Sequence, residues 1–535
     1  MKIYNFIKIS NGVKLLNNIY TQAGLVFLFF FILFLSAHLL NSGFISLDDP
    51  YYHAKHAALM AQSGNFTLIK PWLEFHFFNY APTDPWWGFH LGLVLFIYLF
   101  GLVLGAKIFA SFLAALVFLV FYLILRALKL KYLFFWTLLL FISSSIFSYR
   151  LFLARPHLLS MIVFPSAIYF LIKKNNFWLF FLALVYALSY QLSPLIILLA
   201  GAYVLVEAYH QKRVEFKPLI AAAGGILAGI ILHPNSLNYV YVIYIHLARV
   251  LFLKFSGVNL NIGGELQLID FMNYLSGNFL AVLFTVVAVP LFLAFRKRGR
   301  NLIIGDFLFL YSSLWFMAVL LVPRAVEYWL PAAVLFAAVI FNDLVASKEY
   351  QIIKKFISEK VNLKIIIFFL AGALAVIMFN NLANLYLMLS TRQTDITSEN
   401  FRQANLWLKA NTKESSIIFY DNWGMWPMMF YYNDYNHYVL GMDPTFLYEY
   451  DNKTYWLWRN LTSYGLACDR STACLDFSPR QQINLVPAAI KNIFQAKYAV
   501  AANNPPGNLV KTLNSLRAKA KLVFKNTDLL IYEIF

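Results

Sequence analysis

Two adjacent carboxylates, Asp48 and Asp49, stand in the stretch Leu47-Asp48-Asp49-Pro50-Tyr51-Tyr52-His53, just beyond the first long apolar run. Side by side at a membrane surface they repel each other and resist desolvation, costs that a metal ion or a positive substrate group would offset. Sequence neighbours usually point apart, so Asp49 is expected to face the chemistry and Asp48 to support it. A local reading stands beside this one: Asp49 caps a helix that has Pro50 in its first turn and runs to Gly64. His53 and His56, three apart on one face of that helix, can bind metal or simply lie at the interface.

Further along comes Asn79-Tyr80-Ala81-Pro82-Thr83-Asp84-Pro85-Trp86-Trp87-Gly88-Phe89-His90. Trp86 and Trp87 suit either an interfacial belt or the face of a sugar ring, and Asp84 can accept sugar hydroxyls. Arg150 and Arg155-Pro156-His157 open another apolar run, where the arginines can anchor to lipid head-groups. Gly263-Gly264-Glu265-Leu266 places a carboxylate on a loop supple enough to approach a ligand. Pro323-Arg324-Ala325-Val326-Glu327-Tyr328 has a guanidinium that can grip phosphate in two-point fashion, and Arg324 and Glu327 are also spaced for a helical salt bridge. Asp421-Asn422-Trp423-Gly424, after a strand-like run, offers aromatic and amide groups for a carbohydrate or peptide, or for packing alone.

The elements that must position these groups are mostly membrane helices. Of 535 residues, 61% are hydrophobic and only 13% charged, against about a quarter charged in soluble domains. Apolar runs near 22–40, 107–126, 132–149, 157–172, 177–192, 194–209, 217–232, 275–295, 303–322, 324–345 and 362–382 predict eleven crossings. The first is too long for a cleavable signal, and no small-residue cleavage site follows it.

The net charge of +18 is concentrated in Met1–Leu382, with 28 Lys/Arg against 13 Asp/Glu, and the remainder holds 15 against 12. Basic clusters in alternate short loops encode orientation, so the surplus predicts no nucleic-acid partner. With the amino terminus cytoplasmic, these clusters all fall inside if the apolar stretches 89–104 and 238–255 lie along the outer face. The expected architecture is then a transmembrane domain over 1–382, with outer segments 41–106, 150–157 and 233–274, and an extracytoplasmic α/β domain over 383–535. In that domain a helix is expected over Thr397–Ala410, capped by Thr397 or Ser398, with strands at Ser415–Tyr420, Lys521–Lys525 and Leu529–Ile534. Cys468 and Cys474 can close a small disulfide loop or remain thiols.

The whole constellation resembles the GT-C superfamily of membrane glycosyltransferases, especially oligosaccharyltransferase catalytic subunits. The shared parts are an acidic Asp-Pro-aromatic motif in a long first outer loop, a short second loop, a glutamate on a mobile loop, an arginine opening a late span, and an outer α/β domain. The resemblance implies that Asp49 is the catalytic, metal-associated aspartate, Glu265 the mobile-loop glutamate, and Arg324 the arginine near the donor phosphate. Two departures stand out. The outer domain reads Asp421-Asn422-Trp423-Gly424 where those enzymes carry Trp-Trp-Asp, and the second loop has Arg155-Pro156-His157 where they carry acidic metal ligands.

The expected function is transfer of a sugar from a polyprenyl-phosphate or pyrophosphate donor to a protein, lipid or glycan on the outer face of the plasma membrane. Asp49, supported by Asp48, would be catalytic, and Arg324 and Arg155 would bind phosphate. Asp84, Trp86, Trp87, Glu265, Glu327, Asp421, Asn422 and Trp423 would hold substrate. Mg2+ or Mn2+ at Asp49 and Glu265, with His157, is the expected metal, and no nucleotide-binding glycine loop is present. A transporter or scaffold for envelope glycans is the rival, but transporters set ionisable residues near the bilayer midplane.

Overall fold

The computed structural model describes residues 18–68, 72–258, 260–267, 270–295, 302–347, 350, 363–390, 394–468 and 476–535. The amino-terminal lysines, the basic residues at 296–300, the lysines of 348–349 and 351–362, and Cys474 lie outside these. A helix stands at each of the eleven expected crossings. Among the described residues, seven helices are long and apolar enough to cross a membrane, eight if the bent pair Leu133–Ile142 and Ser145–Leu151 is one span.

Four of the expected crossings are apolar but short. His157–Ile172, Asn176–Ser189, Leu195–Gln211 and Lys217–Leu232 have 16, 14, 17 and 16 residues, fewer than the ~20 that span hydrocarbon without help. One of the seven long helices is Ser236–Phe255, expected to lie along the outer face; it runs through a π-helical stretch at Ile245–Arg249.

The chain gathers into two compact units. The first comprises Met1–Leu40, Lys107–Leu232 and Gly264–Thr391; the second comprises Asn41–Ala106, His233–Gly263 and Arg392–Phe535. Two of the outer segments thus fold with the carboxy-terminal domain.

In the first unit, Val326–Ala346 is buried continuously from Val326 to Ile340 and forms its axis. The 91° break between Leu133–Ile142 and Ser145–Leu151 frees backbone groups that apolar surroundings cannot satisfy. Side chains take them up. Ser144 caps the second helix by accepting from the Phe147 N–H at 3.0 Å, Asn381 donates to the Ile142 carbonyl at 3.0 Å, and the Ser144 hydroxyl donates to Asn278 at 2.6 Å. Asn176–Ser189 and Lys217–Leu232 pack with almost no gap, because Gly225 and Gly229 face the first helix's backbone. A methyl group on Gly225 would lie 2.2 Å from the Phe180 carbonyl oxygen. Gly225→Ala is therefore expected to force these helices apart, at about 1–3 kcal/mol. Thermal melts in detergent measure this, with Gly201→Ala as a control whose added methyl meets nothing within 4 Å.

The second unit is built on a five-stranded sheet of order β2-β1-β3-β5-β4. Its strands are β1 Ile417–Tyr420, β2 His437–Tyr438, β3 Ala496–Ala502, β4 Ala520–Lys525 and β5 Leu529–Ile534. β1 lies parallel to β2 and β3, while β5 runs antiparallel to β3 and β4. The first outer segment continues the sheet past β2. Tyr438 N–H donates to the Trp72 carbonyl at 2.9 Å, and Glu74 N–H donates to the Tyr438 carbonyl at 2.9 Å. Phe77, Phe78, Val242, Ile245, Val250 and Phe446 form a common apolar cluster of all three segments. The helix expected to begin at Thr397 starts three residues earlier, as Thr394–Asn411. Ser398 is therefore inside it, and its hydroxyl meets those of Tyr432 and Tyr51 instead of capping the end.

Candidate functional site

In the first unit, the arginines and glutamates singled out in the sequence converge. Arg324 Nη1 donates to Glu265 Oε1 at 2.7 Å, and Arg150 Nη1 donates to Glu265 Oε2 at 2.6 Å. Arg155 Nη1 lies 3.8 Å from Glu265 Oε2. Arg150 Nε also donates to Glu327 Oε1 at 2.6 Å, and Arg324 Nε is 3.8 Å from that same oxygen. The second terminal nitrogen of Arg324 donates to the Tyr190 hydroxyl. His157 donates through Nε2 to the Arg150 carbonyl at 2.8 Å, and its Nδ1 is buried without a hydrogen-bond partner.

Three guanidiniums face two carboxylates here, a net positive charge. Burial opposes ionisation of Glu265, yet Arg324, Arg150 and Arg155 together hold its carboxyl well below the usual range. The members differ in access. The Glu327 side chain is wholly buried and that of Arg150 is 7% exposed, whereas Arg324 is 21% exposed. Buried Arg150 thus neutralises Glu327, and the more accessible Arg324 and Arg155 carry the excess charge outward. Such a cluster attracts an anion. Both oxygens of Glu265 already meet guanidiniums, so Glu265 does not fit a divalent cation, and the positive charge of the same three arginines opposes one at His157.

In the second unit the Asp48-Asp49 pair begins the helix Asp49–Ser63, which Gly64 ends in a left-handed conformation. The capping position is Asp48, not Asp49 as the local reading had it, and Asp49 is the first helical residue. Asp48 makes no side-chain cap; its carboxylate accepts instead from the Ser46 hydroxyl. Asp49, partly exposed in the first turn, has its negative charge at the favourable end of the helix dipole.

One turn on, Tyr52 and His53 pack under Trp86, and His56 packs on Tyr52 and His90. The Tyr52 ring lies 4.9 Å from Trp426 and 5.8 Å from Trp86, and His53 lies 5.1 Å from Trp86. Asp84 is buried, its Oδ2 2.6 Å from His90 Nδ1, and its Oδ1 accepts from the Trp86 N–H. Burial opposes the charge on Asp84, but His90 and His56 bring its carboxyl below the usual range. Burial first, and then His90, push His56 down to about 4. Trp87 donates its indole N–H to the Phe66 carbonyl at 2.8 Å.

Asp421, Asn422 and Trp423 make connections within this unit. Asp421 Oδ2 accepts from the Ala502 N–H at 3.1 Å and ties the end of β1 to β3. Asn422 caps the turn Trp423–Met425, and the Trp423 indole donates to the Asn261 carbonyl at 2.8 Å. Cys468 is disulfide-bonded.

Burial pushes the Asp421 carboxyl up to about 6, with Oδ1 lacking a partner. A carboxyl whose pKa rises on folding favours the native state at low pH and loses that contribution as pH rises through the native value. The window here is about pH 4 to 6, and a two-unit shift corresponds to roughly 3 kcal/mol. Asp421→Asn is expected to melt above the wild type at pH 7.5, with the gap closing near pH 4. Parallel melting curves at several pH values check this.

Sequence reasoning passed over Tyr190 and His90 and took Arg150 for a head-group anchor. Arg150 carried one signal, an arginine amid small and aromatic residues in Ser143-Ser144-Ser145-Ile146-Phe147-Ser148-Tyr149. His90 carried little, since two of its partners, His53 and His56, lie on another helix.

No family model matches the sequence, and no curated protein does. Among solved structures, 90% of the chain superposes on 69% of the oligosaccharyltransferase AglB from Archaeoglobus fulgidus in complex with an inhibitory peptide and a dolichol-phosphate, at 10% identity and a TM-score of 0.58. ArnT from Cupriavidus metallidurans bound to undecaprenyl phosphate matches at 13% identity and a TM-score of 0.53, covering 96% of this chain and 97% of that one. The Archaeoglobus enzyme in complex with Zn and sulfate matches at 11% identity and a TM-score of 0.55, over 89% and 68%. Both proteins are GT-C glycosyltransferases, and the chain has their fold.

Proposed function

We propose that the protein transfers a sugar or oligosaccharide from a polyprenyl-phosphate or pyrophosphate donor to an acceptor at the outer face of the plasma membrane. The carrying observation is the cluster of Arg150, Arg155 and Arg324 against Glu265 and Glu327, with its excess positive charge on the more exposed guanidiniums. Two structures of the same fold hold a polyprenyl phosphate, which supports a lipid phosphate as the anion.

In this reading the acceptor nucleophile attacks the anomeric carbon as the bond to the phosphate oxygen breaks. Asp49 orients the nucleophile and takes its proton, and Arg324 stabilises the charge on the leaving phosphate. Glu265 and the Tyr190 hydroxyl aim the Arg324 fork. Asp49 is the carboxylate that would hold Mg2+ or Mn2+, whose chemistry would be Lewis-acid polarisation. A phosphate is already a good leaving group, so no nucleotide is required.

Arg324→Lys tests the phosphate assignment. Lysine keeps the charge and loses the fork. A hydrogen bond to a charged group contributes ~1.5–3 kcal/mol, so binding of undecaprenyl phosphate is expected to weaken roughly ten- to a hundredfold. Wild-type binding by folded Arg324→Lys protein would place the phosphate elsewhere.

A further inference from the structure

We infer that His56, Asp84 and His90 form a binding site for a zinc-like divalent cation, separate from the Asp49 carboxylate and from the arginine cluster. The nitrogen and oxygen donors of these three residues all lie within 4.8 Å of one another. His56 Nε2 is 3.6 Å from Asp84 Oδ2, which in turn is 2.6 Å from His90 Nδ1. Donors bound at about 2.0–2.2 Å in tetrahedral geometry stand roughly 3.3–3.6 Å apart. The first separation already fits, and the second needs to open by less than about 1 Å.

An independent observation points to a ligand. His56, Asp84 and His90 are only 2%, 4% and 0% exposed, and the His56 ring makes no well-formed hydrogen bond, its one backbone contact being with Leu68. Buried polar atoms are nearly always paired, and a buried ring nitrogen left without a good partner is costly. A cation bound through Nε2 would supply one.

The surroundings are organised as metal sites require. His53 Nδ1 lies 2.8 Å from His90 Nε2. Without an ion, His90 donates through Nδ1 to Asp84 and accepts from His53 at Nε2; a cation taking Nδ1 would reverse the second bond, with Nε2 donating to His53. Asp84 is itself fixed from two sides. Its Oδ1 accepts from the Trp86 N–H, and its backbone carbonyl accepts from His233 Nε2 at 3.0 Å. These contacts hold the ligands from behind. Two imidazoles and one carboxylate favour zinc over magnesium.

The site joins two helices. His56 lies on Asp49–Ser63 and His90 on Trp87–Phe100, while Asp84 precedes the latter. A bound ion would therefore fix the helix whose first residue is Asp49. Its role is to position that helix, and the fourth coordination place is left for water.

The test uses the full chain, purified without a polyhistidine tag, stripped with chelator and given Zn2+ alone. The expected result is one tightly held zinc per chain by elemental analysis and a melting temperature that rises with zinc concentration. Both responses should be lost in His56→Gln. Cobalt in place of zinc should give the visible absorption of a tetrahedral nitrogen–oxygen site in the wild type, which keeps the question decidable if the variant does not fold. No zinc retained by the stripped wild type, or equal retention and stabilisation in a folded His56→Gln protein, would overturn the site. None of these readouts depends on sugar transfer.

Discussion

Asp49→Asn is expected to leave the protein folded and to lower sugar transfer by roughly 10²- to 10⁴-fold, the range typical for loss of a general base. The structure makes this a clean substitution. Asp49 is the first residue of its helix, after Asp48 at the capping position, so no cap is removed. The amide has nearly the same shape and leaves Pro50 in place. What goes is a charge near the positive end of the helix dipole, worth about 0.3–1 kcal/mol, and the capacity to accept a proton. Transfer of labelled sugar from polyprenyl-linked donors in proteoliposomes measures the rate, with melting curves alongside. Asp48→Asn is the control: its carboxylate accepts from Ser46, and the loss there should be much smaller. Wild-type transfer by folded Asp49→Asn would reduce Asp49 to a helix-dipole charge.

The sequence carried the helices well and their partnerships poorly. Each expected apolar run is helical, because hydrophobic length is a local property, but the run 132–149 is two helices at 91° and four others are too short to span hydrocarbon unaided. The strands expected near Ser415–Tyr420, Lys521–Lys525 and Leu529–Ile534 appear as β1, β4 and β5 for the same reason, their apolar runs being short and bounded by turns. β3, the sheet's central strand, is Ala496-Lys497-Tyr498-Ala499-Val500-Ala501-Ala502, and so much alanine gives little strand signal. Trp72–Glu74 joins the sheet edge through backbone hydrogen bonds and a contact between Glu74 and His437, pairings that no local pattern announces.

The candidate sites show the same division. Arg324 and Glu327 were legible because three residues on a helix bring them together. Arg150 is 177 positions from Glu327, and nothing local distinguishes an arginine that snorkels to head-groups from one that turns inward. His53 and His56 were visible as a pair, whereas His90 joins them only when two helices pack. Asp84, expected to meet sugar hydroxyls, is instead buried against that histidine.

Arg150 supports the second large effect. Arg150→Met is expected to destabilise the protein by about 3–5 kcal/mol, the usual consequence of breaking a buried ion pair by removing one partner. Glu327 has no exposed side-chain surface, and its Oε2 has no hydrogen-bond partner. Without Arg150, the nearest remaining cation contact is Arg324 Nε at 3.8 Å. The loss should come from the stranded carboxylate more than from the missing guanidinium, because pairing in low dielectric mainly repays desolvation. The double variant Arg150→Met/Glu327→Met separates these causes, since two apolar side chains of similar volume should recover most of the stability. Recovery of stability need not bring recovery of transfer, because Glu265 would still lack its 2.6 Å contact with Arg150 and would hold Arg324 less firmly. Arg155→Met is the contrast. Arg155 stands 3.8 Å from Glu265 and is more exposed than Arg150, and its removal leaves the ion pair of Arg150 with wholly buried Glu327 in place, so it should cost less than removal of Arg150. Thermal melts in one detergent rank all four proteins. If Arg150→Met melts with the wild type, Glu327 finds its charge balance elsewhere, and the division between buried Arg150 and phosphate-facing Arg324 fails with it.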